Sequence, residues 1–559
     1  MPSSLQPSKT FCGVRMPLVD TGRGPKPNTG HFLHTLLREH VSRYKEVYGD
    51  LEVPRAKTFS TQVINTKMNH FFSQFEALRQ VSPKRAELAK DLVTSCLSTY
   101  QWQGHSGEAL PLPDYMRSAK TEPLELETYE LGKHRPFSAN DFLIPRTNTH
   151  FRKSQFTFPA VLKDHGARPA DFGEELLRHN WAGEELARAL CRFESADAPI
   201  GEPSEKWVLF GGLAELSSLM VLMHTLPHAE ILVLDKMVPT PEMLDIFIGN
   251  EYFNGTLHFV QGGADLVQQP AELKATIEAF SNGDALHFAN FAYAGGRGLE
   301  LGLGISVLGI LSSLDPTLVR SFTSYNSPTV PGGVTEKSLD VSRSWHRPLQ
   351  QLCKYALGTN VFQLEKNGPA FTRAGVDVQG AAYMAGQLFT KRWAAEAFYQ
   401  YGPDFQGEHS IALSMNTAGI SNTASLYMGM FQSAFLLARY FGVRIFHPLE
   451  TVWLNGLLAL DDISTGRYDR LRTQDDRSDL QRLDQLSKSG VHGDIHSDPI
   501  AVNQLVLLSG VLGTIGAVPA LFTQPGRYLV GDVVRQVFGL KRRRFAGIPA
   551  HSFSISVSG

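Results

Sequence analysis

The sequence predicts an α/β protein: a parallel sheet covered by helices on both faces, set between a helical N-terminal region and a largely helical C-terminal region. Three observations carry this. Between 201 and 335, short apolar runs recur at intervals of about twenty to thirty residues, each ending in Gly, Asp or Asn and separated by helix-like segments. Before residue 200, apolar residues return at three- and four-residue spacing. Beyond residue 410, two long stretches carry no charge and read as helices buried on all sides.

Taken in order, residues 1–30 are polar and rich in Ser, Pro, Gly and Lys, and read as a flexible leader with no apolar run of the secretory kind. The helical region, 31–200, opens with His31 to Gly49, where Leu33, Leu36, Leu37, Val41 and Tyr44 share a face and Gly49 supplies the stop. A second helix is expected over Ser60 to Val81. A third has Ser82 as N-cap and Pro83 at its first position. Leu110 to Pro145 reads as irregular wrapping, and helical spacing returns over Phe172 to Phe193. ADAPIGEPS, 196–204, then breaks the pattern.

In the central region, 201–335, the expected strands are Lys206 to Phe210, Ile231 to Leu234, Leu257 to Val260, Ala285 to Ala289 and Leu318 to Phe322. Strands alternating with helices imply a parallel, Rossmann-like sheet whose ligands bind at the carboxyl ends of the strands. The C-terminal region, 336–559, offers Asn360 to Leu364, Ser410 to Ser414 and Val443 to Phe446 as further strands, some of them able to extend the sheet at its edge. Asp461 to Ser487 is charged and reads as solvated.

Composition narrows the class. The chain has 559 residues, 53 Lys plus Arg against 55 Asp plus Glu, and a net charge of −2. With a sequence pI near 6.8, it has no long-range attraction for phosphate backbones or anionic lipid, so nucleic acid and membrane are not the expected partners. Ile411 to Ala438 and Ile500 to Gly526 are uncharged but too rich in Asn, Ser, Thr, Gln and Gly for a bilayer span. Cys12, Cys96, Cys191 and Cys353 are far apart and lack metal-ligand spacing, which points to free thiols, a reducing cytoplasmic compartment and no metal site. The oligomeric state is not written in the chain; a homodimer stays open.

The chemistry concentrates in Trp207 to Met237, WVLFGGLAELSSLMVLMHTLPHAEILVLDKM. This reads as a buried strand, a tight turn at Gly211 and Gly212, a helix whose N-terminus favours anionic groups, and a second strand ending in Asp235. Asp235 is placed to receive the two hydroxyls of an adenosine ribose. Asp265, after the third strand, is placed to read adenine, and Asn290 ends the fourth. Tyr293 and Tyr325 follow the fourth and fifth strands and are the candidates for positioning or deprotonating an acceptor. His287 reads as a core histidine. GGRGLELGLG, 295–304, is either a lid or a close-packed helix start. Glycines and acids also occur at strand ends simply to make turns and caps.

The order and spacing of these residues resemble class I S-adenosylmethionine-dependent methyltransferases, and GGLAELSSLMVLMHTLP is similar to the corresponding turn and helix of nicotianamine synthases. The resemblance implies that Gly211 and Gly212 hold the methionine part of S-adenosylmethionine, Asp235 the ribose and Asp265 the adenine. The acid that this family places before the glycine turn is Phe210 here. The expected function is therefore transfer of a methyl or aminocarboxypropyl group to a small acceptor. A weaker resemblance is to short-chain dehydrogenases, carried by GGADL, by DALHFANFAYAGG and by NGPAFT at Asn367 to Thr372. It implies NAD(P)H, but the Gly-x-x-x-Gly-x-Gly fingerprint and the Tyr-x-x-x-Lys relay are absent. A third expectation is a protein-binding module that has lost its chemistry. His492-Gly-Asp-Ile-His496 resembles the catalytic loop of aminoglycoside-type kinases, but Pro499 stands where that loop needs Asn; KRRR, 541–544, reads as a solvated basic cluster.

Overall fold

Apolar runs with both faces shielded become the inner strands of one seven-stranded sheet. Its strands are β1 (Leu126–Glu130), β2 (Lys206–Phe210), β3 (Glu230–Leu234), β4 (Thr256–Val260), β5 (Leu286–Asn290), β6 (Val319–Asn326) and β7 (Ala412–Thr417). The computed structural model describes residues 12–20, 25–59, 66–132, 169–179, 181–195, 205–294, 299–334, 361–365, 368–374, 380–407, 409, 411–419, 444–446 and 448–466. Across the sheet the order is β7-β6-β5-β2-β3-β4-β1. Strands β2 to β7 are parallel to their neighbours, and β1 pairs antiparallel with β4. The chain therefore winds outward from β2 in both directions, and the reversal lies between β2 and β5.

Helices cover both faces. On one side, α1 (Thr29–Arg43), α2 (Thr66–Val81), α3 (Arg85–Thr99), α8 (Pro270–Ser281), α9 (Leu299–Leu311), α10 (Ala381–Gln387) and α11 (Trp393–Tyr401) pack with Val208, Phe210, Leu232, Phe288, Phe322 and Leu413. On the other, α4 (Pro169–Arg178), α5 (Glu184–Glu194), α6 (Leu219–Thr225), α7 (Pro241–Ile248) and α12 (Pro448–Thr465) pack with Trp207, Leu209, Ile231, Val233 and Phe259. Alternation along each strand produces these two cores, because successive side chains leave opposite faces. Each fully buried Phe or Leu contributes about 1.5–3 kcal/mol.

Several expectations are corrected. Within the expected loose leader, Gly13–Arg15 pairs antiparallel with Gln101–Gln103, and the Val14 N–H donates to the Val267 carbonyl at 2.8 Å. Ser82 and Pro83 form a turn rather than the helix start: α3 begins at Arg85, with Ser82 Oγ accepting from the Lys84 N–H at 3.2 Å. The Phe172 to Phe193 segment is two helices, separated before the N-cap Gly183. Leu110 to Pro145 contains β1, which joins the sheet. Val361–Gln363 and Ala370–Thr372, inside the segments matched to later strands, instead form a small antiparallel sheet with Gly333–Val334. Within the expected strand Ser410 to Ser414, Ala412 to Ser414 does extend the large sheet, as the start of β7.

Asp461 and Asp462, expected in solvent, are 2% and 1% exposed near the end of α12. Asp462 Oδ2 accepts from Ser414 Oγ at 2.9 Å, and Asp461 pairs with Arg192. The glycine run ends in a close-packed helix, since a Cβ on Gly304 would collide with Thr390. Most of Ile411 to Ala438, all of Ile500 to Gly526, the His492–His496 loop and the KRRR cluster lie outside the described residues.

Candidate functional site at the sheet edge

The carboxyl ends of β2 and β5 meet at the reversal point, and Gly211 lets them close. Its φ is 71°, and a Cβ there would lie 2.6 Å from the backbone N and Cα of Ala292. Only glycine fits this approach without strain. The Gly211 N–H donates to the Leu234 carbonyl at 2.7 Å and the Phe291 N–H to the Phe210 carbonyl at 2.8 Å, so the strands stay zipped past their ends. Gly212 packs over β3; a Cβ on it would sit 2.8 Å from Val233 Cγ1.

Asp235 stands beside this turn, half-buried. Its Oδ2 accepts from the Leu213 N–H at 3.0 Å and its Oδ1 from the Met237 N–H at 3.1 Å. Burial pushes its pKa up, against the pull of these amides. A carboxylate has about four lone-pair sites, so both oxygens retain acceptor capacity. The next turn is tied to it: the Ala264 N–H donates to the Asp235 carbonyl at 2.6 Å. Asp265 Oδ1 accepts from the Val267 and Gln268 N–H groups at 3.0 and 3.1 Å, while its Oδ2 pairs with Lys236 Nζ at 2.9 Å. The two acids thus occupy adjacent turns, and each also stabilises its own loop.

Other candidates fare differently. The helix after the glycine turn, α6, begins only at Leu219 and is seven residues long, so its N-terminus does not meet the turn. Ser218, its N-cap, is buried and bonds the Tyr325 hydroxyl at 2.8 Å through Oγ. Tyr325 is 7% exposed, lies 5.3 Å from the Phe291 ring, and has its pKa raised by burial. It is a packing residue in the core on the α12 side of the sheet. Tyr293 is 52% exposed beside Tyr383, with its pKa raised by partial burial and by Glu300. Asn290 is buried, and its Oδ1 accepts from the Ala292 N–H at 3.1 Å. His287 stacks on Trp207 and meets Ser321 Oγ at 2.7 Å; burial, then Arg320, pushes its pKa down to about 3.

Sequence reasoning missed a polar group beside β5 and β6. Glu300, in the first turn of α9, accepts from the Ala294 N–H at 2.8 Å and from Gln387 Nε2 at 2.7 Å, with Lys391 Nζ at 3.4 Å. Gln387 Oε1 in turn accepts from the Ser327 N–H at 3.0 Å. Lys391 lies in a π-helical turn, Leu388–Arg392, a distortion often found at functional sites. The signal available in the sequence was the run Thr323-Ser324-Tyr325-Asn326-Ser327, too polar for a buried strand end without a task. Elsewhere, a cavity of about 320 Å³ lies between α1 and α3, bordered by Phe32, Leu36, His40, Arg43, Asp91 and Ser95.

Among the described residues, no group of three or more His, Cys, Asp or Glu side chains is arranged to hold a metal ion, and no helix is long and apolar enough to cross a membrane. No protein-family model matches the sequence, and no curated protein matches it.

Proposed function

We propose that the chain binds an adenosine-containing cofactor over the carboxyl ends of β2, β3 and β4 and is a transferase that uses S-adenosylmethionine to modify a small acceptor. The observation that carries this reading is Asp235, held at the end of β3 beside the glycine turn with acceptor capacity to spare for two ribose hydroxyls. Asp265 and the amides around Gly262 and Gly263 are the groups nearest the adenine position. When bound, S-adenosylmethionine supplies an activated carbon, so the protein's own task is alignment and exclusion of water. Gly211 keeps the turn close to the sheet, Asp235 orients the ribose, and Tyr293, exposed after β5, is the group available to orient an acceptor. The Tyr325 hydroxyl is instead engaged by Ser218 Oγ on the α12 side of the sheet.

A second reading, a nicotinamide-dependent oxidoreductase, is favoured by one observation: β7 is parallel, which completes the strand order of a sheet built from two mononucleotide-binding halves. Both readings share the adenosine half and separate on the ligand. Calorimetry and melting of the full chain with S-adenosylmethionine, S-adenosylhomocysteine, NADH and NADPH distinguish them. At a hundredfold excess over Kd, the true ligand stabilises the native state by about 2.7 kcal/mol. Binding of S-adenosylmethionine, lost in Asp235→Ala while the variant stays folded, is the expected result; binding of NADPH alone sinks the transferase reading.

A further inference from the structure

The carboxyl end of β6 carries polar side chains that the fold leaves unsatisfied. Ser324 and Asn326 are two residues apart on one strand and therefore share a sheet face. They are 0% and 1% exposed, yet Ser324 Oγ and both amide atoms of Asn326 have no hydrogen-bond partner. A buried amide without a partner forfeits the hydrogen bonds it made to water. Asn at the end of a strand ordinarily caps a turn through its side chain. Asn290 does so on β5, where it is next to Ser324 in register at its strand end. Asn326 does not, so the turn does not explain its burial.

The surroundings are fixed in advance. Ser327, the next residue, is held through its N–H by Gln387, and Gln387 is held by Glu300. Glu300 is also paired with Lys391, so the one carboxylate and the one ammonium of this group balance each other. The unsatisfied groups are thus neutral donors and acceptors at the edge where parallel sheets bind their ligands.

We propose that Ser324 and Asn326 bind an uncharged polar group of the second reactant, one that presents a donor and an acceptor side by side: a primary carboxamide or a vicinal diol. An amide side chain meets such a group with its N–H and its carbonyl at once, and the serine hydroxyl adds a third bond. The site takes its role as an acceptor pocket from the cofactor reading above, but its binding chemistry stands without it.

The test uses the full chain with acetamide and ethylene glycol as separate probes in saturation-transfer NMR, together with thermal unfolding. Asn326→Leu removes both polar atoms while keeping the branched side-chain skeleton, and Ser324→Ala removes only the hydroxyl. The expected result is transfer to at least one probe by the wild-type protein, weakened about tenfold in Asn326→Leu, with Ser324→Ala melting no lower than wild type. Should Asn326→Leu fail to fold, Asn326→Ala takes its place in the probe measurement. Absence of transfer to both probes, or transfer that survives the Asn326 substitution, overturns the proposal. So does a clearly lowered Tm of Ser324→Ala, which would mean that the hydroxyl has a structural partner such as a buried water. Because the probes need no cofactor, a silent cofactor panel with positive probe transfer removes the transferase reading alone, and the converse pattern removes this site alone.

Discussion

Neutralising Glu396 in α11 should be among the most damaging single substitutions in the protein. Glu396 accepts from Arg79 Nη1 at 2.6 Å and from Arg85 Nη2 at 2.6 Å, and Arg392 Nε lies 3.8 Å away. Glu76 completes the group, accepting from Arg79 at 2.9 and 2.7 Å and from Trp393 Nε1 at 2.8 Å. All five ionic side chains are at most 8% exposed. Three guanidiniums against two carboxylates leave one buried positive charge in excess; Glu396→Gln raises the excess to two. Removing one partner of a buried pair costs about 3–5 kcal/mol, because the charge left behind cannot rehydrate. In urea unfolding this corresponds to a fall in midpoint on the order of 1 M. Burial alone would raise the Glu396 pKa, but Arg79 and Arg85 hold it well below the usual carboxylate range. A depressed carboxylate contributes its full stability above its unfolded pKa, about 4.3, and loses it as the pH falls toward the folded value. The gap between wild type and Glu396→Gln should therefore be full at pH 7 and narrow below about pH 4.3. A loss smaller than about 1 kcal/mol at pH 7, or a gap that stays constant through the acid range, refutes the reasoning.

Gly211→Ala should destabilise by about 2–4 kcal/mol, combining the positive φ with a clash against the Ala292 backbone; unfolding that matches wild type would mean that the two strand ends do not approach as described. The His287 imidazole should remain neutral in the folded protein down to about pH 3. Since the unfolded chain takes up that proton below about pH 6.5, the histidine's contribution declines as the pH falls from there; an NMR titration of this ring with a midpoint between 6 and 7 would contradict its burial. Asp235→Asn keeps one acceptor oxygen and should weaken cofactor binding less than Asp235→Ala, a ranking that calorimetry reads directly; equal losses would argue that the charge rather than the acceptor geometry matters.

The parallel strands were legible because both of their faces are buried: Trp207-Val208-Leu209-Phe210 and Ile231-Leu232-Val233-Leu234 are unbroken apolar runs. β1 was not, since its sequence Leu-Glu-Thr-Tyr-Glu belongs to a largely solvent-facing edge strand with no such run. Gly211 and Asp235 were legible as a turn glycine and a strand-end acid, and they do stand together. The position of α6 was not, because nothing local distinguishes Gly212 from Ser218 as the start; the Ser218–Tyr325 bond that accompanies the actual start joins residues 107 apart. The polar run after Phe322 reads as the end of a strand, whereas β6 continues to Asn326 with its polar residues buried. A periodic reading assumes that buried strands are apolar, and it fails where the fold keeps hydrogen-bonding groups inside.

The antiparallel strand β1 also orders events during synthesis. Leu126 to Glu130 pairs with Thr256 to Val260, so the first segment waits on the ribosome's tether until its partner has been made, and at about 5–20 residues per second that delay lasts on the order of ten seconds. The wait is longer for Arg79, whose partner Glu396 follows 317 residues later. Until then Arg79 has only Glu76 and Arg85 lacks its carboxylate partner, so a positive charge stays on a surface that is dry in the mature protein, which disfavours premature closure. The contacts that seal the mature protein thus form late in translation, and a nascent chain truncated before α11, which lacks Glu396, is expected to stay protease-sensitive in its N-terminal helices.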